Sequence, residues 1–172
     1  MSATNRANHK RNAYDSYPTP TWCTEAIAKE IVWTSDSRVL EPCCGDGAIW
    51  RVIEHVQWVS HIDWCEIQRG RDFFEHEFFG ERFDFIITNP PFSLAQEFVE
   101  KSLTLANCVI MLLRLNFLAS KSRKEFWEKH PPTAIHVLTK RPSFTGNGTD
   151  ATDYAWFVWD TTGRQKHGIF WI

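Results

Sequence analysis

The sequence predicts an α/β protein built on a doubly wound, mostly parallel seven-stranded sheet. Three observations predict it. Short apolar runs alternate with segments whose apolar residues recur at three and four residues. Two turn motifs, Glu41-Pro42-Cys43-Cys44-Gly45-Asp46-Gly47 and Asn89-Pro90-Pro91-Phe92, each follow such a run directly. Finally, 43% hydrophobic and 23% charged residues over 172 positions suit one soluble globular core. Strands alternating with helices fold as a parallel sheet covered on both faces, with ligand sites at the carboxyl ends of the strands.

Residues 1–16 are polar and read as a flexible arm, and 17–172 as a single domain. Thr19-Pro20 opens a first helix, with Pro20 near its first turn and Ile27, Ile31 and Val32 as its apolar stripe. Residues 38–40 form a short buried strand, and Ile49, Val52, Ile53, Val56 and Val59 mark the helix after the glycine turn. Residues 61–67 are a second strand, the region of Phe73 a third and 84–88 a fourth. Leu94, Phe98 and Leu105 then mark a helix, 108–115 a central strand, and 120–129 a basic amphipathic helix stopped by Pro131-Pro132. Residues 133–138 and 154–159 are the last two strands, joined by a loop rich in Gly, Asn and Thr.

Composition excludes several classes. No apolar run approaches the roughly 20 residues of a membrane span, and Arg6, His9, Lys10 and Arg11 without an apolar stretch do not make a secretory signal, so a cytoplasmic protein without membrane association is expected. Cys23, Cys43, Cys44, Cys65 and Cys108 are odd in number and lack metal-ligand spacing, which predicts reduced thiols and no metal site. Net charge is only −2, but it is unevenly spread. Positions 41–100 hold twelve acids against four arginines, whereas positions 114–141 hold seven basic residues against two acids. That split suits a cationic cofactor on one side and a polyanion on the other.

Gly45 and Gly47 let the backbone turn sharply between strand and helix and approach a ligand closely. A dinucleotide site would want a third glycine at position 50, where this chain has Trp50, and no Gly-Lys-Ser/Thr makes a P-loop. Carboxylates stand where phosphate recognition would be: Glu41 and Asp46 around the turn, Glu66 at the end of the second strand and Asp72 after the third. A ligand with sulfonium and ammonium groups and ribose hydroxyls favours this ordered series, so S-adenosylmethionine fits and ATP does not.

Glu41-Pro42-Cys43-Cys44-Gly45-Asp46-Gly47 resembles motif I of the class I amino-methyltransferases, and Asn89-Pro90-Pro91-Phe92 their catalytic motif IV. Tyr17-Pro18-Thr19-Pro20 is similar to the Thr-Pro element called motif X. The resemblance covers residues 17–159 and is that of S-adenosylmethionine-dependent N6-adenine DNA methyltransferases. It implies a Rossmann-like methyltransferase sheet with an antiparallel last strand. It further implies a cofactor site of Tyr17, Thr19, Pro20, Glu41, Pro42, Cys43, Gly45, Asp46, Gly47, Ala48, Glu66, Ile67, Asp72 and Phe73. Within it, Thr19 and Pro20 border the methionine moiety, Glu66 holds the ribose, Ile67 packs on the adenine, and Asp72 with Phe73 borders its amino edge.

The catalytic expectation follows from the electronics of the acceptor. The adenine N6 lone pair is delocalised into the ring, so hydrogen-bond acceptors must draw the nitrogen toward tetrahedral geometry before it can attack a methyl group. The Asn89 side-chain oxygen and the Pro90 carbonyl can each accept one N6 hydrogen. Pro90 and Pro91 fix φ and lack N–H groups, which keeps that carbonyl out of a sheet ladder, and Phe92 offers a face to a flipped base. By resemblance to a late motif that borders the target base, Phe144 is the candidate second stacking residue. Lys121, Arg123, Lys124, Lys140 and Arg141 are the candidates for phosphate contacts. Pro42-Cys43 superficially resembles a cytosine C5 nucleophile, but it lies in the cofactor turn, so Cys43 and Cys44 are expected to pack.

The order of motifs X, I and IV without an insertion resembles a compact gamma-type arrangement of phage or restriction-modification enzymes. No separate target-recognition domain is expected, and specificity should be short or relaxed, with base reading in the loop of residues 143–153. A monomer or weak homodimer is expected. DNA is the first acceptor, with RNA or a protein glutamine amide as alternatives for the same chemistry, and a non-catalytic binding module as a further alternative.

Overall fold

The computed structural model describes residues 17–80, 82–144 and 148–172; the expected arm at 1–16 and part of the base-reading loop lie outside the described residues. Seven strands form one sheet: β1 (Ser37–Glu41), β2 (Val59–Trp64), β3 (Phe83–Thr88), β4 (Ala106–Arg114), β5 (Ala134–Val137), β6 (Tyr154–Asp160) and β7 (Gly168–Trp171). They lie in the order β2-β1-β3-β4-β6-β5-β7. β2, β1, β3 and β4 are mutually parallel, β6 runs antiparallel to both β4 and β5, and β7 pairs parallel with β5. The α-helices are α1 (Thr21–Glu30), α2 (Trp50–Ile53), α3 (Ala95–Leu105) and α4 (Lys124–Lys129).

The pleat sorts the core into two layers. On β4, Cys108, Ile110 and Leu112 face a cluster with Cys23 and Ile27 of α1 and Ile53 of α2. Val109, Met111 and Leu113 face the opposite cluster with Phe98 and Val99 of α3 and Phe126 of α4. All six of these β4 side chains are at most 2% exposed, which is why this strand reads as a continuous apolar run. The Trp156 indole N–H donates to the Cys23 carbonyl at 3.0 Å and fastens α1 to β6.

Besides the basic helix expected at 120–129, which is α-helical only from Lys124 after a 3-10 turn at Lys121–Arg123, two elements differ from the sequence expectation. The region of Phe73 is a turn, not a strand; its neighbours Glu66 and Arg71 form only an isolated bridge. Phe73 instead stacks on Phe98 of α3 at 5.2 Å and 16°, edge-on to Phe74 at 5.5 Å. The Lys101 ammonium donates to the carbonyls of Phe73, Phe74 and His76 at 2.5, 3.1 and 3.4 Å, so backbone that a ladder would pair is satisfied by one side chain. The seventh strand is β7, at the other edge. Its short run Gly168-Ile169-Phe170-Trp171 alternates weakly, with only Phe170 turned inward against His136. The second difference is α2, which ends at Ile53. The spacing of Val56 and Val59 continues a helical period across a turn, but Val59 already opens β2 opposite Ser37.

Candidate active site

β1 and β3 are adjacent parallel strands, and chain order reverses here: β2 lies to one side of β1, β3 to the other. This is the topological switch point at which open α/β sheets bind ligands. The glycine turn and the Asn-Pro-Pro turn leave the carboxyl ends of these two strands side by side. The Cys43 sulfur joins them, lying 2.9 Å from Thr88 Oγ1 and donating to the Asn89 carbonyl at 3.4 Å. Burial pushes the Cys43 thiol pKa far up against the Thr88 hydrogen bond, and the Glu41 and Glu66 carboxylates push it the same way. Both effects favour the protonated thiol, whose sulfur links the two turns at the pocket wall.

A pocket of about 200 Å³ opens over both turns. Tyr17, Pro18 and Thr19 form one wall, and the glycine turn contributes Glu41, Pro42, Cys43, Cys44, Gly45, Asp46 and Ala48. Glu66, Ile67 and Gln68 follow the end of β2, Asp72, Phe73 and Phe74 come from the next turn, and Asn89 and Pro91 from the Asn-Pro-Pro turn. Among the cofactor candidates only Pro20 and Gly47 stand outside the lining. Pro20 precedes α1 as its N-cap, and Gly47 shapes the turn with φ +84°. Beyond Pro18 and Cys44, which lie inside the Thr-Pro and glycine-turn motifs, the lining adds Ile49, Gln68, Phe74, Leu94 and Phe98, which the sequence reading did not assign to the site. Leu94 and Phe98 carry the same apolar periodicity as the buried helix face, so the pattern alone does not separate wall from core.

Four carboxylates and no lysine or arginine line this pocket, which suits a cation and repels a polyphosphate. Glu41 is 2% exposed, and its Oε2 is buried without a hydrogen-bond partner. Burial raises its pKa well above the ordinary carboxylate range; the Trp50 N–H opposes this, while repulsion from Asp46 and Glu66 adds to it. An orphaned buried carboxylate oxygen fits the ammonium of an amino-acid moiety. Glu66 accepts the Gly45 N–H at 2.7 Å on Oε2 and the Gln68 N–H at 3.0 Å on Oε1, leaving lone pairs on both oxygens. Asp46 and Asp72 act locally: each accepts the backbone N–H two residues on, at 3.1 Å from Ala48 and 2.8 Å from Phe74.

In the Asn-Pro-Pro turn, Asn89 Nδ2 donates to the Tyr17 carbonyl at 3.2 Å and to Thr19 Oγ1 at 3.0 Å, while Oδ1 is buried without a partner. The Pro91 carbonyl accepts the Leu94 N–H at 2.9 Å, which leaves the Pro90 carbonyl as the candidate second acceptor; Pro90 is buried and does not itself line the pocket. Phe92 also lies off the lining, at 5.6 Å from Tyr154. Phe144 stands 5.1 Å from Tyr154 and 6.3 Å from Tyr17. The two base-stacking candidates thus flank one tyrosine. Arg114, counted in the basic segment but not among the site candidates, lies over Phe92 at 4.4 Å and donates to the Tyr154 hydroxyl at 3.2 Å.

The phosphate candidates separate by environment. Arg123 lies over Phe117 at 4.4 Å and donates to its carbonyl. Arg141 pairs with Asp153 at 2.7 Å and Lys124 with Glu128 at 3.5 Å. Lys140 lies over the Trp22 ring at 5.4 Å, and Lys121 is exposed.

No family profile and no curated protein matches the sequence. Solved structures match in fold. A provisionally assigned class I S-adenosylmethionine-dependent methyltransferase from Listeria monocytogenes superposes with TM-score 0.64 at 12% identity, over 89% of this chain and 64% of that one. A modification subunit of a provisionally assigned type I restriction enzyme from Vibrio vulnificus gives 0.62 at 17% identity, over 89% and 49%. A provisionally assigned RNA methyltransferase from Pyrococcus horikoshii gives 0.59 at 14% identity, over 84% and 86%. The chain therefore has the fold of class I S-adenosylmethionine-dependent methyltransferases. It spans about two thirds and half the length of the first two. Among the described residues no helix is long and apolar enough to cross a membrane.

Proposed function

We propose that this chain transfers a methyl group from S-adenosylmethionine to the exocyclic N6 amine of adenine in DNA. One observation carries the reading: Asn89 Oδ1 is buried and unpartnered at the edge of a carboxylate-lined pocket, while its own Nδ2 is fully engaged. A buried acceptor without a donor costs about 1–3 kcal/mol, and a substrate amine supplies the missing hydrogen.

When bound, the cofactor supplies an electrophilic methyl group on a sulfonium. The residues of this chain do the rest. Glu41 attracts the ammonium of the methionine moiety, and Glu66 accepts the ribose hydroxyls with its remaining lone pairs. Asn89 Oδ1 and the Pro90 carbonyl each accept one hydrogen of the target amine and stabilise positive charge growing on its nitrogen; as the N–CH3 bond forms, the S–CH3 bonding pair would remain on sulfur and the nitrogen's surplus proton would pass to water. Phe92 and Phe144 border the base, and a base stacking on Phe92 either displaces Arg114 or takes the opposite face. Lys121 and Lys140 contact phosphates. Recognition is short or relaxed. A type I restriction modification subunit and an RNA methyltransferase both share the fold, so DNA and RNA acceptors are assayed together.

The purified protein is incubated with methyl-labelled cofactor and DNA, RNA or protein, and the labelled product is digested. N6-methyldeoxyadenosine from DNA is expected, and Asn89→Ala should lower the rate at least 100-fold while cofactor binding persists. Label in 5-methylcytosine, or transfer that survives Asn89→Ala, overturns the chemistry. Label confined to RNA or to glutamine moves the acceptor.

A further inference from the structure

An asparagine amide has two ends of nearly equal size, one accepting and one donating, so its catalytic use depends on which end meets the substrate. At Asn89 the surroundings decide. A main-chain carbonyl only accepts, so the Tyr17 carbonyl at 3.2 Å requires the NH2 end on its side, and Thr19 Oγ1 at 3.0 Å takes the second Nδ2 hydrogen. Rotation by 180° would set oxygen against the Tyr17 carbonyl and turn two donors toward a substrate amine. The opposite end, Oδ1, is the orphaned atom.

The strap that does this is stiff. In Tyr17-Pro18-Thr19-Pro20, prolines at alternate positions fix φ, and each holds the residue before it extended. Thr19 is 5% exposed and also lines the pocket. Resting on the amino-methyltransferase reading, we infer that Thr19 is a positioning residue: its hydroxyl, with the Tyr17 carbonyl, locks the Asn89 amide so that Oδ1 faces the amine to be methylated. Bordering the cofactor would make Thr19 matter for cofactor affinity. Orienting Asn89 makes it matter for turnover.

Thr19→Val removes the hydroxyl at nearly constant volume, and Thr19→Ser keeps it. The valine variant should lose about 5- to 30-fold in the single-turnover rate, a loss that saturating cofactor does not restore, and the serine variant should recover most of the rate. A valine variant with unchanged rate, or one whose defect lies wholly in cofactor Kd, overturns the inference. NMR supplies a readout independent of catalysis. The Asn89 side-chain amide protons, assigned by their loss in Asn89→Ala, should exchange slowly in wild type and in Thr19→Ser and faster in Thr19→Val. Rapid exchange in wild type sinks the lock whatever the activity. A protected amide in a protein that methylates no acceptor keeps the lock and sinks the proposed function.

Discussion

The Gly45 N–H donates to Glu66 Oε2 at 2.7 Å, tying the turn after β1 to the end of β2 across 21 positions of sequence. One carboxylate thereby holds the glycine turn in shape and faces the pocket. In Glu66→Gln one acceptor oxygen is replaced by a donor, so either the Gly45 or the Gln68 N–H loses its partner. Cofactor Kd by calorimetry should rise by about 10- to 100-fold, and urea unfolding should show a loss of about 1–3 kcal/mol. An unchanged Kd would remove Glu66 from the cofactor site.

Glu41 makes the pocket pH-sensitive. Burial raises its carboxyl pKa above the ordinary range in the free protein, and a bound ammonium would favour the charged form and lower it. Cofactor affinity should therefore rise with pH up to the raised free-state value and level off above it, with proton release on binding inside that window, read by calorimetry in buffers of different ionisation enthalpy. Stability runs the other way. The raised folded-state pKa favours the protonated form, so free-protein stability declines as pH climbs from the unfolded carboxylate pKa through the folded one. Glu41→Gln should melt higher than wild type at neutral pH, match it in acid, and lose both cofactor affinity and proton release.

Lys101 substitutes for a strand. Its ammonium caps three carbonyls around Phe73 and lies 4.9 Å over that ring. Lys101→Met keeps the stem and removes the donors, and should cost about 1–3 kcal/mol in urea unfolding and loosen the wall that carries Asp72, Phe73 and Phe74. Hydrogen exchange should rise first in the segment 71–79.

Salt dependence should separate the basic residues. Arg123 is folded onto Phe117 and Arg141 is paired with Asp153, whereas Lys121 and Lys140 have no carboxylate partner among the described residues. Lys121→Ala and Lys140→Ala should each flatten the slope of log K for DNA against log salt by about one. Arg123→Ala should act on stability instead. A salt-independent affinity in wild type would dismiss the phosphate contacts altogether.

Much of the site was legible because its residues are local in sequence. Gly45 and Gly47 have positive φ of 53° and 84° that glycine adopts freely, and Pro90-Pro91 ends β3 where no ladder can continue, so each motif marks its own place. The third strand was misplaced for the converse reason. Phe73 is buried, but as part of an aromatic stack with Phe98 whose backbone is satisfied by Lys101, and neither partner is near it in the chain. β7 was missed because an edge strand with Ile169 and Trp171 exposed carries little of the burial pattern that marks a strand.

By itself the sequence determined the parallel α/β architecture, the two turns at its centre and the acidic character of the pocket between them, because periodicity, glycine, proline and charge act over a few residues. Only the tertiary structure decided that Arg114 covers Phe92, that three of the basic candidates are already engaged, and that the Asn89 amide is held by Tyr17 and Thr19. Those contacts join segments far apart in the chain, and a hydrogen bond or ring contact forms only once the sheet has brought its partners within a few ångströms.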